Sequence, residues 1–156
     1  MSALPQDLAP PTQSGGNNIR KISSSRVVTT LAGSITGTSG YADGLGTNAL
    51  FMCSPVCQIA VVADTLYVTE RSSNRIRRIT SAGGVSTVAG SGSIGSSDGI
   101  GTAASFNQPL GIAVSPDGSI LFVGDSQNLK VRRISIATLT TGKEFSICLL
   151  DKQYCI

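Results

Sequence analysis

Apolar and polar positions along this chain fall into short blocks separated by turn-forming residues. Ile59-Ala60-Val61-Val62 is a compact apolar run suited to a buried strand, and Ala63-Asp64 turns the chain. Thr65-Leu66-Tyr67-Val68-Thr69 follows, rich in β-branched and aromatic residues, and predicts a second strand. After the polar turn Ser72-Ser73-Asn74 comes Arg75-Ile76-Arg77-Arg78-Ile79, then Ala82-Gly83-Gly84, then Val85-Ser86-Thr87-Val88-Ala89. The same series restarts with Leu110-Gly111-Ile112-Ala113-Val114 and the turn Ser115-Pro116-Asp117-Gly118-Ser119. Strands over 120–123 and 130–134 are predicted next. In that turn proline presets φ, and the Asp-Gly step tolerates the turn geometry that follows. No window carries a helical period over two turns, so the pattern predicts strands throughout.

The blocks recur at a fixed spacing. Asp43-Gly44-Leu45-Gly46-Thr47 returns as Asp98-Gly99-Ile100-Gly101-Thr102, 55 residues later. Leu66-Tyr67-Val68 returns as Leu121-Phe122-Val123, and Arg77-Arg78-Ile79 as Arg132-Arg133-Ile134, at the same offset. An earlier, incomplete unit shows only Asn18-Ile19-Arg20-Lys21-Ile22 and Val28-Thr29-Thr30-Leu31-Ala32-Gly33, which match the last two strands of the later units. A repeat of this period, with four short strands per unit, predicts the blades of a β-propeller.

The residues that carry this repeat resemble an NHL repeat. The third unit runs Asp98, Gly99, Gly101, Ala104, Phe106, Pro109, Gly111, Ile112, Ala113, Val114, then Leu121, Phe122, Val123, Asp125, then Val131, Arg132, Arg133, Ile134. The middle unit follows in the same order through Asp43, Gly44, Gly46, Ala49, Phe51, Pro55, Leu66, Tyr67, Val68, Arg77, Arg78 and Ile79. It departs at Cys57, where the third unit has Gly111, and at Glu70, where it has Asp125. The resemblance implies a propeller, usually of six blades, that binds protein, RNA or small ligands; some of its wider relatives are metal-dependent lactonases or lyases.

The expected fold class is therefore all-β, a partial β-propeller built from NHL-type four-stranded blades. Residues 1–16 are expected as a disordered tail and 17–142 as the blades: 17–33 a partial blade, 34–90 the second and 91–142 the third. Residues 143–156 read as a divergent tail, since 142–150 do not repeat the fourth-strand pattern. About two and a half blades cannot close a ring, so the chain is expected to be a fragment of a longer propeller, or else a protomer that self-associates to complete one.

Composition narrows the chemistry. Only 13% of residues are charged and 18 are glycine, in keeping with strands and turns. The net charge of +3 is too small to argue for nucleic acid by itself. The chain has no histidine, which removes the commonest general base and metal ligand. No Gly-x-Ser-x-Gly elbow accompanies the many serines, and no cofactor is expected. Cys53, Cys57, Cys148 and Cys155 do not recur at the repeat spacing and are expected to be free thiols, with a disulfide as the alternative. Residues 1–18 lack the apolar run of a secretory signal, and no stretch reaches transmembrane length. The default expectation is a cytoplasmic protein with no membrane partner.

Three features are candidates for function. The Asp-Gly-x-Gly-Thr loops could offer oxygen ligands or approach a phosphate. The stronger expectation is a structural turn in which Asp43 and Asp98 bond backbone amides and the glycines take positive φ. Arg20, Lys21, Arg75, Arg77, Arg78, Lys130, Arg132 and Arg133 hold eight of the twelve basic residues on equivalent strands. If their tips emerge together, Arg75, Arg77, Lys130 and Arg132 would contact a partner or RNA. The stronger expectation is that one arginine per blade pairs with a carboxylate on the neighbouring strand, such as Glu70 or Asp125, and that the others are solvated. Phe51 and Phe106, at matched positions, are expected in the core between blades. The function this supports is a non-catalytic scaffold for a protein partner. The alternatives are RNA binding through the basic strands and the remnant of a metal-dependent lactonase or lyase.

Overall fold

A computed structural model describes residues 17–54 and 56–136 in full and the backbone of 147–149. The proposed tail over 1–16 lies outside the described residues, as do Pro55 and the stretches 137–146 and 150–156. Three antiparallel sheets follow one another along the chain. The first pairs β1 (Asn18–Ile22) with β2 (Val28–Gly33). The second is built from β3 (Gly44–Leu45), β4 (Cys57–Val62), β5 (Thr65–Glu70), β6 (Arg75–Thr80) and β7 (Gly84–Ala89), in the order β3-β7-β6-β5-β4. The third contains β8 (Pro109–Val114), β9 (Ile120–Asp125), β10 (Lys130–Ser135) and β11 (Ile147–Leu149), in the order β11-β10-β9-β8. The fold is all-β and partial propeller-like. The outermost strand of the third sheet, β11, falls within the stretch read from sequence as a divergent tail, and pairs with 132–134 of β10.

Strand alternation sorts each sheet's side chains onto two faces, and the core forms where neighbouring sheets face each other. Leu66, Val68 and Ile79 of the second sheet meet Ile19 and Ala32 of the first, with Phe51 between them. Tyr67, Ile76 and Val88, on the other face, meet Leu121, Val123 and Ile134 of the third sheet around Phe106. Both phenylalanines are fully buried, as the repeat pattern predicts for inter-blade anchors. Burial in this core raises the pKa of Tyr67, partly offset by the nearby Arg78 charge.

The two complete units differ in the hairpin between their first two strands. Ala63-Asp64 closes β4–β5, whereas the five residues from Ser115 to Ser119 close β8–β9. In the longer turn Asp117 accepts from Ser115 Oγ at 2.5 Å, from Ser119 Oγ at 2.7 Å and from the Ser119 amide at 3.1 Å. Those bonds favour the ionised carboxylate and lower its pKa to about 2.

The cysteine expectation is corrected for one pair. Cys53 and Cys57 form a disulfide, with Cα atoms 5.0 Å apart, in the segment leading into β4. The loop folds back within four residues, a geometry that the spacing alone does not specify. The side chains of Cys148 and Cys155 lie outside the described residues.

Candidate functional site

The basic strands divide into buried and accessible residues. A bulge falls between Ile76 and Arg77 where β6 meets β7, and another between Ile19 and Arg20 where β1 meets β2. The extra residue lies on the partner strand in each case, Val88 of β7 and Leu31 of β2, so alternation along β6 is undisturbed and puts Arg77 on the face of Ile79, towards the first sheet. Arg77 turns inward and is fully buried. Its Nη1 donates to Glu70 Oε2 at 3.0 Å and to the Leu50 carbonyl at 3.2 Å. Its Nη2 donates to Asp43 Oδ1 at 2.7 Å and to the Ala42 carbonyl at 2.8 Å. Arg132 repeats this: Nη1 bonds Asp125 at 2.9 Å and the Ser105 carbonyl at 3.0 Å, and Nη2 bonds Asp98 at 2.7 Å and the Ser97 carbonyl at 2.9 Å.

Each arginine thus ties the Asp-Gly-x-Gly-Thr loop to the strands of its own sheet. The inner carboxylates are fully engaged as well. Glu70 also accepts from the Met52 amide at 3.1 Å and Ser73 Oγ at 2.6 Å, and Asp125 from the Asn107 amide at 2.7 Å and Asn128 Nδ2 at 2.8 Å. In these clusters the arginine and the inner carboxylate are buried and bonded to one another, while Asp43 and Asp98 are 45% and 40% exposed. Arg77 and Arg132 are therefore corrected as surface contact residues, because neither guanidinium reaches solvent. Of the four candidates, Lys130 is exposed and Arg75 partly so. Arg75 is itself held by the Ser73 and Ser91 carbonyls at 3.1 and 2.9 Å and lies 3.7 Å from the Tyr41 ring centroid. The structure does not gather the four into one basic stripe.

The loop expectation also changes. Asp43 bonds an amide, that of Thr87 at 3.1 Å, but its main partner is Arg77, and the partner of Asp98 is Arg132. Only the second glycine of each loop takes positive φ, +59° at Gly46 and +56° at Gly101. At Gly99 a side chain is excluded by packing instead, since a Cβ would stand 2.8 Å from the Ala103 carbonyl carbon.

A cleft that the sequence reading did not identify opens at the seam between the second and third sheets. It has a volume of about 320 Å³ and is lined by Arg71, Ser72, Asn74, Ile94 and Gln108. Arg71, Ser72 and Asn74 come from the turn joining β5 to β6; Ile94 and Gln108 come from the connection between β7 and β8. Asn74, at a left-handed φ of 53°, spans the seam: its Oδ1 accepts from the Gln108 amide at 2.8 Å and its Nδ2 donates to the Gly92 carbonyl at 3.2 Å. Asn17 does the same at the first seam, accepting from the Cys53 amide at 3.3 Å and donating to the Gly37 carbonyl at 3.1 Å. Asn74 thus shares its seam-bridging role with Asn17 of the first unit, while the third unit has Leu129 at this place. Arg71 does not repeat: the third unit has Ser126 in its place, 55 residues on, and Gln108 answers to Cys53. A break in the repeat beside an asparagine shared with the first unit was the available signal.

Among the described residues, no group of three or more His, Cys, Asp or Glu side chains is placed to hold a metal ion. Also among them, no helix is long and apolar enough to cross a membrane.

No protein-family model matches the chain, and neither does any curated protein sequence. Solved structures do match in fold. Auxiliary nutrient binding proteins from Bacteroides thetaiotaomicron and Bacteroides ovatus each align with a TM-score of 0.62 at 21% identity, over 85% of this chain and 33% of theirs. A candidate phosphatase from B. thetaiotaomicron aligns with a TM-score of 0.61 at 20% identity, over 85% of this chain and 31% of its own. The chain thus spans about a third of the length of the structures it matches. At this identity the likeness is one of fold.

Proposed function

We propose that the chain is a set of NHL-type propeller blades acting as a non-catalytic scaffold, with a protein partner bound at the rim where the seam cleft opens. The observation that carries this reading is the division of the polar residues. Charged residues that recur in both units, Asp43, Arg77, Asp98 and Arg132, are locked in ion pairs that hold loops to strands. Polar residues that break the repeat, Arg71 and Gln108, converge instead on an open cleft. A scaffold with its repeated charges consumed internally has its non-repeating rim left for recognition.

RNA binding is supported less well, because two of the four residues that would contact phosphates are buried. A photocrosslinker placed at Ser72, beside the cleft, and at Asp64, in the turn at the opposite strand ends, tests the reading in an extract of the source cells. Protein adducts specific to Ser72 are expected. Equal adducts from both positions, none from Ser72, or adducts to RNA would overturn it.

A further inference from the structure

We propose that the seam cleft recognises a carboxylate carried on a short aliphatic stem, with Arg71 as its anchor. This rests on the rim-binding reading and names the chemistry recognised there. Arg71 donates from Nε and Nη2 to one neutral acceptor, Gln108 Oε1, at 3.1 and 2.7 Å. A guanidinium carries five N–H donors, so with the Nε–Nη2 side given to Gln108 the two donors of Nη1 and one of Nη2 are left, and the Nη1–Nη2 edge can take a second acceptor. Among the described residues Arg71 forms no ion pair, whereas Arg77 and Arg132 each take two carboxylates.

Among the described residues the cleft wall contains no acidic one, and Glu70, next in sequence, is buried against Arg77. Arg71 is thus a cation without a counter-charge, held in place by a residue that is itself anchored across the seam through Asn74. An arginine fork matches the planar geometry of a carboxylate, and a single positive charge balances a single negative one. A phosphate, more highly charged, would want further cations, and the described lining residues supply none beyond Arg71. Ile94, 71% exposed, supplies an apolar wall for the stem. Ser72 Oγ already donates to the Ser54 carbonyl, so it faces a ligand as an acceptor and does not compete for the carboxylate. The carboxylate would come from an acidic side chain of the partner or from a free short-chain acid.

The test is a titration of the ¹⁵N-labelled chain, following Arg71 Nε–H and the amides of Ser72, Asn74 and Gln108. The probes are butyrate, a capped Glu-containing tripeptide, its Gln counterpart and inorganic phosphate. Saturable shifts with a carboxylate probe, and not with the Gln peptide or phosphate, are expected. Tighter binding of the Glu peptide assigns the ligand to a protein side chain, and equal binding assigns it to a free acid. Arg71→Gln should weaken binding by about tenfold or more. Arg71→Lys should fall between, since it keeps the charge and loses the fork. Unchanged amide shifts at Phe51 and Ile134 verify that the variants fold, and Gln108→Leu, which frees the guanidinium, should weaken binding severalfold. No saturable shift with either carboxylate, equal shifts with the Gln peptide or phosphate, or an Arg71→Gln variant that binds normally would overturn the proposal. Crosslinking from Ser72 that survives Arg71→Gln would also overturn it while leaving the scaffold reading intact.

Discussion

Arg77 and Glu70 lie on adjacent strands with Nη1 and Oε2 3.0 Å apart, and neither side chain touches solvent. The second carboxylate, Asp43, reaches the same guanidinium from the loop that precedes the sheet, and is itself 45% exposed. Each of the two complete units is therefore fastened at one buried point, where strand, turn and loop meet. Arg132 with Asp125 and Asp98 repeats the arrangement in the third sheet.

Removing one member of this pair should be far worse than removing both. Arg77→Met leaves Glu70 buried without its counter-charge, and a broken buried pair costs about 3–5 kcal/mol. The double variant Arg77→Met/Glu70→Leu should recover part of that loss, because no fully buried unpaired charge remains; Asp43, which also loses its partner, is 45% exposed and keeps its hydration. Urea unfolding of the two singles and the double measures the coupling. Additive losses would show that the pair does not act as a unit.

Two glycines with positive φ should respond differently to alanine. Gly90 has φ +100°, and a Cβ there would overlap the Asn74 carbonyl oxygen and press on Phe106 at 3.2 Å. Gly46 has φ +59° with open space around it. Gly46→Ala should cost about 1 kcal/mol, the left-handed penalty less the gain from a stiffer unfolded chain. Gly90→Ala should cost at least about twice that, since the backbone at the start of the neighbouring strand β6 must move. Comparable denaturation midpoints for the two variants would contradict this.

The strands were legible because alternation and turn chemistry act locally, and the predicted runs around Leu66, Ile76 and Ile120 match β5, β6 and β9 within a residue or two. That one arginine pairs with Glu70 was expected, but which one was not: the hairpin register sets Arg75 opposite Glu70, and Arg77 lies one diagonal step away on the same face. The reach of Asp43 to Arg77 was not expected, because it depends on how a loop 34 residues upstream folds back over the sheet. The Cys53–Cys57 bridge and the Arg71 cleft depend likewise on the path of loops rather than on periodicity. What marked them in the sequence was only their failure to repeat.

Ile76 and Val131 occupy the same position in successive units, 55 residues apart, but not the same environment. Ile76 is fully buried against the third sheet, and Val131 is 52% exposed. Ile76→Asp should place a charge in the core and abolish cooperative folding at ordinary temperature. Val131→Asp should shift stability by no more than about 0.5 kcal/mol. Thermal melts followed by circular dichroism decide it, and a large loss for Val131→Asp would mean that this face is covered in solution.

Asp117 sets the pH response of the β8–β9 turn. Its folded pKa, about 2, lies below the ordinary value of 3.8. The ionised form is therefore favoured by folding, so the stabilisation is complete above about pH 4 and is lost as pH falls toward 2. The turn is open to solvent, and the effect should appear in local order rather than as a global transition. The Ser119 amide, which donates to Asp117 Oδ1, should titrate with the carboxylate in NMR and exchange faster below its midpoint. Asp117→Asn should remove that titration. A Ser119 midpoint near 3.8 would show that the hydroxyl and amide bonds do not favour the charged form.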